Sequence, residues 1–236
     1  MRRVLLIAIL YSMALAALAQ STIIELAWTT SPSKEGLEKL DTRIEKLVTG
    51  IQEKRYRNDQ HKLYDLFKKT HTTFLYQYSQ YSDIDELADG KYDCLTATTL
   101  FADVLSRADF EHDIIETNYH IFIVVKTREG DVILETTDRV NGFINDKKKV
   151  TAQIAAYRKN VLERATSSHH QYSFSLYQPV NTDQLKGLLY FNQAVKAFNA
   201  GDWAKCSEKL SAAARNINSP RIAELSSLLN QQASSN

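Results

Sequence analysis

Three side chains near the middle of the chain could together perform acyl transfer. Cys94 follows Tyr92 and Asp93, His120 comes just before an apolar run, and Glu135 lies at the end of the next apolar run. In acyl-transfer sites a thiolate attacks a carbonyl carbon, an imidazole moves the protons and a carboxylate orients the imidazole. The types and order of these three residues therefore predict a nucleophilic site that forms a thioester.

The residues around Cys94 predict that it lies in the first turn of a helix. Asp93 is a favourable N-cap residue, and Ala97 and Phe101 then recur at helical spacing. Unpaired N–H groups at a helix N-terminus favour a thiolate and can stabilise an oxyanion. A carboxylate at Asp93 has the opposite effect, because it raises the pKa of a neighbouring thiol. For Cys94 to be a thiolate, His120 would have to outweigh this effect of Asp93.

His120 and Glu135 are predicted to lie on two paired strands. The run Ile121–Val125 is apolar throughout, as in a strand that is buried on both faces, and Val132–Thr136 is its expected partner. Adjacent antiparallel strands would bring the imidazole and a carboxylate to one sheet.

The loop between these strands decides which carboxylate faces the imidazole. With a two-residue loop at Glu129-Gly130, Glu135 shares a face with His120 but lies about four residues along the ladder. A loop at Thr127-Arg128 puts the two residues directly opposite each other. Asp138 shares that face only with an odd-length loop, so it is a rival for the third position.

The same segments resemble the transglutaminase-like core, a branch of the papain-like cysteine peptidase superfamily. The resemblance rests on Gly90-Lys91-Tyr92-Asp93-Cys94, on Asn118-Tyr119-His120-Ile121-Phe122-Ile123-Val124-Val125 and on Leu134-Glu135-Thr136-Thr137. It implies an α+β fold in which a nucleophile helix packs on an antiparallel sheet. It also implies that Cys94 is the nucleophile, that His120 is the general base and acid, and that Glu135 orients the imidazole where the family usually has Asp.

The resemblance implies a cysteine peptidase or amidase that acts on a protein or peptide amide and needs no cofactor or metal. Water or an amine would release the thioester, and we expect hydrolysis because no acceptor site is visible. The alternative is a catalytically inactive scaffold of the same fold that binds proteins or peptides. In that case Cys94 is a small buried residue and His120 is a core histidine.

Other histidines and tyrosines have weaker interpretations. His61 and His71 are predicted on the polar side of a helix, and no His-x-x-x-His spacing indicates a metal site. The tyrosines Tyr76, Tyr78 and Tyr81 either line a substrate groove or pack at the rim of a helix.

The N-terminus predicts export. Arg2 and Arg3 precede the apolar run Val4–Leu18, and Ala17-Leu18-Ala19 matches a cleavage pattern, so residues 1–19 are predicted to be a signal peptide. The run is shorter than the roughly 20 residues that span a membrane. We therefore expect a periplasmic or secreted protein with no stable membrane span after cleavage.

The two cysteines of an exported protein could instead form a disulfide. An oxidising compartment makes a Cys94–Cys206 bond chemically possible. Cys206, however, fits a helical position that takes a small apolar residue, and Cys94 lies where a reactive thiol is expected. We therefore favour two free thiols.

The chain after the signal peptide is predicted to have three parts. They are a helical segment over 20–57, the transglutaminase-like core domain over 58–180, and a tetratricopeptide-like helical hairpin over 185–230. Amphipathic helices are predicted over 34–52 and 59–78, and a polar connection over about 167–182.

The C-terminal helices are predicted to break at Gly201-Asp202 and at Ser219-Pro220. Only one tetratricopeptide-like repeat is visible, and a single repeat is not stable alone. We therefore expect these helices to pack on the core, where they could also present a groove to a partner protein. Residues 231–236 are predicted to be a frayed tail.

Charge and composition narrow the class of protein. Without the signal peptide the chain has 27 basic and 28 acidic residues, and no basic stripe with interleaved aromatic residues indicates a nucleic-acid partner. With 44% hydrophobic residues, seven Gly and three Pro, a globular, helix-rich protein is expected.

Overall fold

The computed structural model describes residues 30, 34–118, 120–166 and 176–234. The predicted signal peptide, residues 1–19, lies outside the described residues, as do Tyr119 and positions 167–175 of the predicted connection. The helices are α1 (Lys34–Gln52), α2 (Asp59–Phe74), α3 (Cys94–Arg107), α4 (Lys147–Thr166), α5 (Thr182–Asn199), α6 (Trp203–Ala214) and α7 (Pro220–Ser234). The strands are β1 (Gln77–Tyr78), β2 (Lys91–Tyr92), β3 (His112–Thr117), β4 (Ile121–Val125), β5 (Val132–Leu134), β6 (Phe143–Ile144) and β7 (Tyr177–Val180), and a 3₁₀ helix spans Ile84–Asp89.

The first two helices form where their apolar spacing predicts them. α1 has the predicted bounds and buries one stripe of residues, namely Leu37, Leu40, Ile44, Val48 and Ile51. α2 is capped by the side chain of Asn58 and ends at Phe74, not at the predicted Tyr78. Beyond it Leu75 is extended, and the next residues pair with β2 in a short parallel sheet.

Strands β3 to β7 form one sheet in the order β6-β5-β4-β3-β7, and all its pairs are antiparallel. The β4–β5 hairpin pairs Val125 with Val132, whereas the predicted loop at Glu129-Gly130 would pair Val125 with Leu134. The turn lies one residue earlier than predicted, because Gly130, with a φ of 126°, donates its N–H to the Thr127 carbonyl and leaves Arg128 and Glu129 at the centre. The observed partner of Val125 lies two positions before the predicted one, at Val132 and not at Leu134. Because side chains alternate with a period of two, every side chain stays on its predicted face. Helices and sheet together confirm the predicted α+β class.

The two faces of the sheet pack on different helices. Ile121 and Ile123 belong to the large core that includes α1, α2 and α3. Phe122 lies in a second, smaller core, where its ring stacks on Tyr157 of α4 at a centroid distance of 4.7 Å. β4 is therefore buried on both faces, as its unbroken apolar run predicts.

Helix α4 and strands β6 and β7 were not predicted. α4 covers the second core with Val150, Ile154 and Tyr157, although its apolar stripe is weak. β7 lies in the segment predicted as a polar connection, where it pairs with β3. It is an edge strand, and Pro179 is tolerated there because an edge residue can lack a ladder N–H.

Three helices complete the chain, with breaks at the predicted positions. They lie against the core through hydrogen bonds from Asn192 to Asp93 at 2.7 Å and from Lys196 to Asp83 at 2.8 Å. α7 extends to Ser234, so residues 231–234 continue the helix and the predicted frayed tail is wrong there. None of the described helices has the length and hydrophobicity needed to cross a bilayer.

Candidate functional site

Cys94 begins α3, as predicted. The Asp93 carboxylate accepts the Thr96 N–H at 2.8 Å, and the Thr96 hydroxyl accepts the Asp93 N–H at 2.9 Å. This reciprocal capping fixes where the helix starts. The half-buried thiol therefore lies at a helix N-terminus beside a buried carboxylate.

The surroundings of Cys94 keep its thiol protonated. Burial raises the pKa of the thiol to about 11, and the Asp93 carboxylate adds to this increase. Arg221 and the N–H groups of Cys94 and Leu95 lower the pKa, but they do not offset burial. At neutral pH the thiolate is therefore scarce.

His120 and Glu135 are in direct contact, on the face that their spacing predicts. His120 Nε2 lies 2.5 Å from Glu135 Oε2, and Tyr157 donates its hydroxyl to Glu135 Oε1 at 2.5 Å. The imidazole also stacks on Phe122 at a centroid distance of 6.1 Å. The rival Asp138 instead accepts two backbone N–H groups of its own turn. Glu135, and not Asp138, is the carboxylate beside the imidazole.

Cys94 does not join this pair. Thr136, the residue after Glu135, lies 2.8 Å from the hydroxyl of Thr98 on α3. Glu135 bonds to Tyr157 of α4 and His120 stacks on Phe122 of the smaller core, so both side chains lie on the α4 side of the sheet, whereas α3 packs on the other side. Within the described residues no hydrogen bond links Cys94 to His120. The structure thus brings together two of the three predicted residues and leaves Cys94 apart from them.

A cavity of about 380 Å³ opens beside Cys94. Its walls come from the segment after α2, the start of α3, and two C-terminal helices. The apolar and aromatic lining consists of Tyr78, Tyr81, Phe191, Val195, Leu225 and Leu228. Concave, mostly apolar surfaces with a few polar groups are typical of ligand sites.

Polar contacts of Asn192 and Arg221 hold the walls of the cavity in place. Asn192 of α5 donates to Asp93, as described above. Arg221 of α7 donates to the Thr117 carbonyl, and its Nη1 lies 3.4 Å from Glu116 Oε1. Burial raises the pKa of the Glu116 carboxyl, and Arg221 opposes that increase. These contacts attach both helices to the core.

The tyrosines after α2 are divided between the two predicted roles. Tyr78 and Tyr81 line the cavity, whereas Tyr76 donates its hydroxyl to the Thr73 carbonyl. Tyr81 has a φ of 57°, a conformation that costs a bulky residue on the order of 1 kcal/mol. Strained backbone of this kind clusters at binding sites. A substrate groove at Tyr78 and Tyr81 stays a prediction, and both residues lie in the cavity wall.

Sequence reasoning missed the side chains that distant helices bring to these sites, among them Tyr157, Arg221 and Glu224. Tyr157 lies on α4, which was not predicted, and Arg221 and Glu224 lie on α7, far from Cys94 in the chain. No local pattern connects them to the site, because tertiary packing alone brings α7 to α3.

His71 was expected on the polar side of α2, and that prediction is wrong. Its side chain is 1% exposed and packs against Phe67 and Phe101 at centroid distances of 4.6 and 5.2 Å. The buried face of α2 is wider than its apolar residues indicate, because Thr70 is buried as well.

Both cysteines are free, and Cys206 is fully buried in α6. In the part of the chain that the structure describes, no three His, Cys, Asp or Glu side chains are grouped to hold a metal ion. Comparison of the chain with family profiles, with curated proteins and with solved structures gives no match.

Proposed function

We propose that this protein is an exported transglutaminase-like scaffold that binds a peptide segment of a partner protein in the cavity beside Cys94. The observation that carries the proposal is the cavity, an apolar and aromatic space of about 380 Å³ with a thiol at its wall. A space of this size takes one or two side chains of an extended peptide. Transfer of apolar side chains from water into this cavity would be favoured by the hydrophobic effect.

The state of the thiol supports binding over catalysis. The thiolate is the nucleophile in thiol chemistry, and a pKa of about 11 leaves Cys94 protonated at neutral pH. Among the described residues, no hydrogen bond links Cys94 to the imidazole that would accept its proton. A protonated Cys94 contributes a small apolar surface to the cavity.

Peptide binding tests the proposal. Acetylated and amidated hexapeptides from a randomised library are incubated with the protein, and bound peptides are identified by native mass spectrometry. We expect a subset to bind and to be recovered intact. Tyr78→Ala should weaken their binding about tenfold, because it removes an aromatic wall of the cavity.

Tyr64→Ala is the matched control, since Tyr64 is 49% exposed, Tyr78 is 56% exposed, and Tyr64 lies on α2 away from the cavity. Cys94→Ser should keep the binding. Binding that Tyr78→Ala leaves unchanged, or that both tyrosine variants reduce equally, would place the peptide elsewhere and defeat the proposal.

Thiol-dependent hydrolysis is a second candidate, favoured by the 2.5 Å contact between His120 and Glu135. In that reaction Cys94 passes its proton to the imidazole and attacks an amide carbonyl. The leaving amine takes the proton, and water then releases the acyl group as a carboxylic acid and restores the thiol.

The same library separates the two functions. Hydrolysis would yield cleaved peptides with the wild-type protein and none with Cys94→Ala or His120→Ala. It would also make iodoacetamide alkylation of Cys94 fast well below the free-thiol pKa of about 8.5, and His120→Ala would abolish that fast reaction. For a binding scaffold we expect intact peptides and slow alkylation that His120→Ala does not change.

A further inference from the structure

We infer that the cavity beside Cys94 receives a basic side chain, arginine or lysine, and that Glu224 selects it. The inference rests on the proposed function and names the chemistry of the ligand. Long basic side chains combine an apolar stem with a charged head. The lining of the cavity is divided in the same way.

The apolar part of the wall matches the stem. Phe191 and Val195 of α5 face the same space as Leu225 and Leu228 of α7. Leu228 is 40% exposed, so the apolar wall reaches the solvent. A stem of three or four methylene groups can enter there and lose its contact with water.

The charged head is matched by Glu224. This residue lines the cavity one position before Leu225, is half-buried, and has no ion-pair partner among the described residues. A cation is attracted more strongly by a partly buried carboxylate than by a fully exposed one, because water screens the two charges less. The rings of Tyr78 and Tyr81 lie in the same lining, and aromatic faces attract cations.

Two titratable groups inside the cavity indicate a negative potential there. Asp93 raises the pKa of the Cys94 thiol more than Arg221 lowers it. Burial raises the pKa of the Tyr78 hydroxyl, and the Asp93 carboxylate raises it further. The Asp93 carboxylate therefore contributes a negative potential to the cavity, and that potential favours a cation.

Arg221 also lines the cavity and would repel a basic side chain. Its charge is offset, because its Nη1 lies 3.4 Å from the buried Glu116 carboxylate. The guanidinium is also bound to the Thr117 carbonyl, which ties it to the sheet. The carboxylates of Asp93 and Glu224 therefore dominate the charge that a ligand meets.

The test uses one peptide sequence with a single varied residue. Acetylated and amidated Ala-Ala-X-Leu-Ala peptides carry arginine, citrulline or glutamate at X, citrulline being the uncharged analogue of arginine. Dissociation constants are measured by isothermal titration calorimetry with the full chain. We expect arginine to bind about tenfold more tightly than citrulline, and glutamate to bind most weakly.

Substitutions at Glu224 identify the selecting group. Glu224→Gln should reduce the preference for arginine over citrulline to about twofold, and Glu224→Lys should make glutamate the preferred residue. Glu45→Lys is the control, because Glu45 is an exposed residue of α1 that does not line the cavity. It should leave the wild-type preference unchanged.

The outcomes separate this inference from the function on which it rests. If the arginine and citrulline peptides bound with equal affinity while Tyr78→Ala still weakened hexapeptide binding, the inference of a basic ligand would be wrong. The proposed function as a binding scaffold would stand. An arginine preference that survives in Glu224→Gln would overturn the role of Glu224. Absence of binding by every hexapeptide of the library would defeat the proposed function itself.

Discussion

His71 couples the stability of the helical core to pH. Its side chain is 1% exposed, and its Nε2 atom has no hydrogen-bond partner among the described residues. Burial, helped by Arg139, lowers the pKa of this imidazole from 6.5 to about 4. The unfolded chain therefore binds this proton more readily than the folded chain. We expect the free energy of unfolding to fall by roughly 3 kcal/mol from this group alone as the pH decreases.

The window for this loss runs from pH 6.5 down to about 4, and urea unfolding at several pH values measures it. His71→Phe keeps a ring in the aromatic cluster and removes the titration, so its stability should depend less on pH than that of the wild type. His61→Gln is the control, since His61 is an exposed residue of the same helix. Identical pH slopes in wild type and His71→Phe would contradict this account.

At the scale of helices, Gly187 sets how closely α5 approaches the chain after α6. A Cβ atom at this position would lie 2.5 Å from Ile217 Cγ2 and 3.1 Å from Asn216 Cβ. Alanine favours a helix over glycine by about 1 kcal/mol, whereas overpacking costs ~1–3 kcal/mol. We expect Gly187→Ala to lower the free energy of unfolding by about 1 kcal/mol, measured by urea unfolding.

Gly50→Ala provides the opposite case. Gly50 lies on α1, and no described atom lies within 4 Å of a Cβ added there. This variant should raise the free energy of unfolding by up to about 1 kcal/mol, from helix propensity alone. If Gly187→Ala also stabilised the protein, the prediction for Gly187 would be wrong, because the Ile217 side chain would then be able to move away from the added Cβ atom.

Local signals explain which elements the sequence predicted well. α1 and the start of α3 follow from apolar spacing and from the Asp93 cap, both of which act within one or two turns. The prediction that His120 and Glu135 share a face was also correct. The partner of Val125 is Val132 and not Leu134, and a register shift of two residues leaves each side chain on the same face.

The remaining features depend on contacts that are distant in the chain. Which helix covers which face of β4 is decided by packing. No sequence pattern near Cys94 or His120 therefore reveals that Cys94 packs against the large core, whereas His120 stacks on Phe122 of the smaller one. α4 has a weak stripe because only a few side chains, among them Tyr157, meet the sheet. The cavity was missed for the same reason, since α7 supplies one of its walls.

At the scale of the whole molecule, Arg221 connects the C-terminal helices to the sheet. Its partner Glu116 is 1% exposed. Burial raises the pKa of the Glu116 carboxyl, and the positive charge of Arg221 lowers it. Removal of one partner of a buried ion pair typically costs about 3–5 kcal/mol, because a charge is left buried. We expect Arg221→Leu to lower the free energy of unfolding by about 3 kcal/mol.

The double variant Arg221→Leu with Glu116→Leu tests whether the unpaired Glu116 charge causes this loss of stability. It removes both charges, so most of the stability should return, and urea unfolding of the single and double variants measures the coupling. A cost below about 0.5 kcal/mol for Arg221→Leu would mean that the pair contributes little. Equal losses in the single and double variants would assign the effect to packing of the arginine stem instead.

The position of α7 also has a consequence for the order of folding. The cavity needs Cys94 and Leu225 side by side, and contacts between residues so far apart in the chain close large loops and form slowly. A folding intermediate with a formed sheet and an undocked α7 would expose the thiol and the apolar side of α7 at once. Chaperones recognise surfaces of this kind, so docking of the last helix both completes the site and ends the period in which the chain is prone to aggregate.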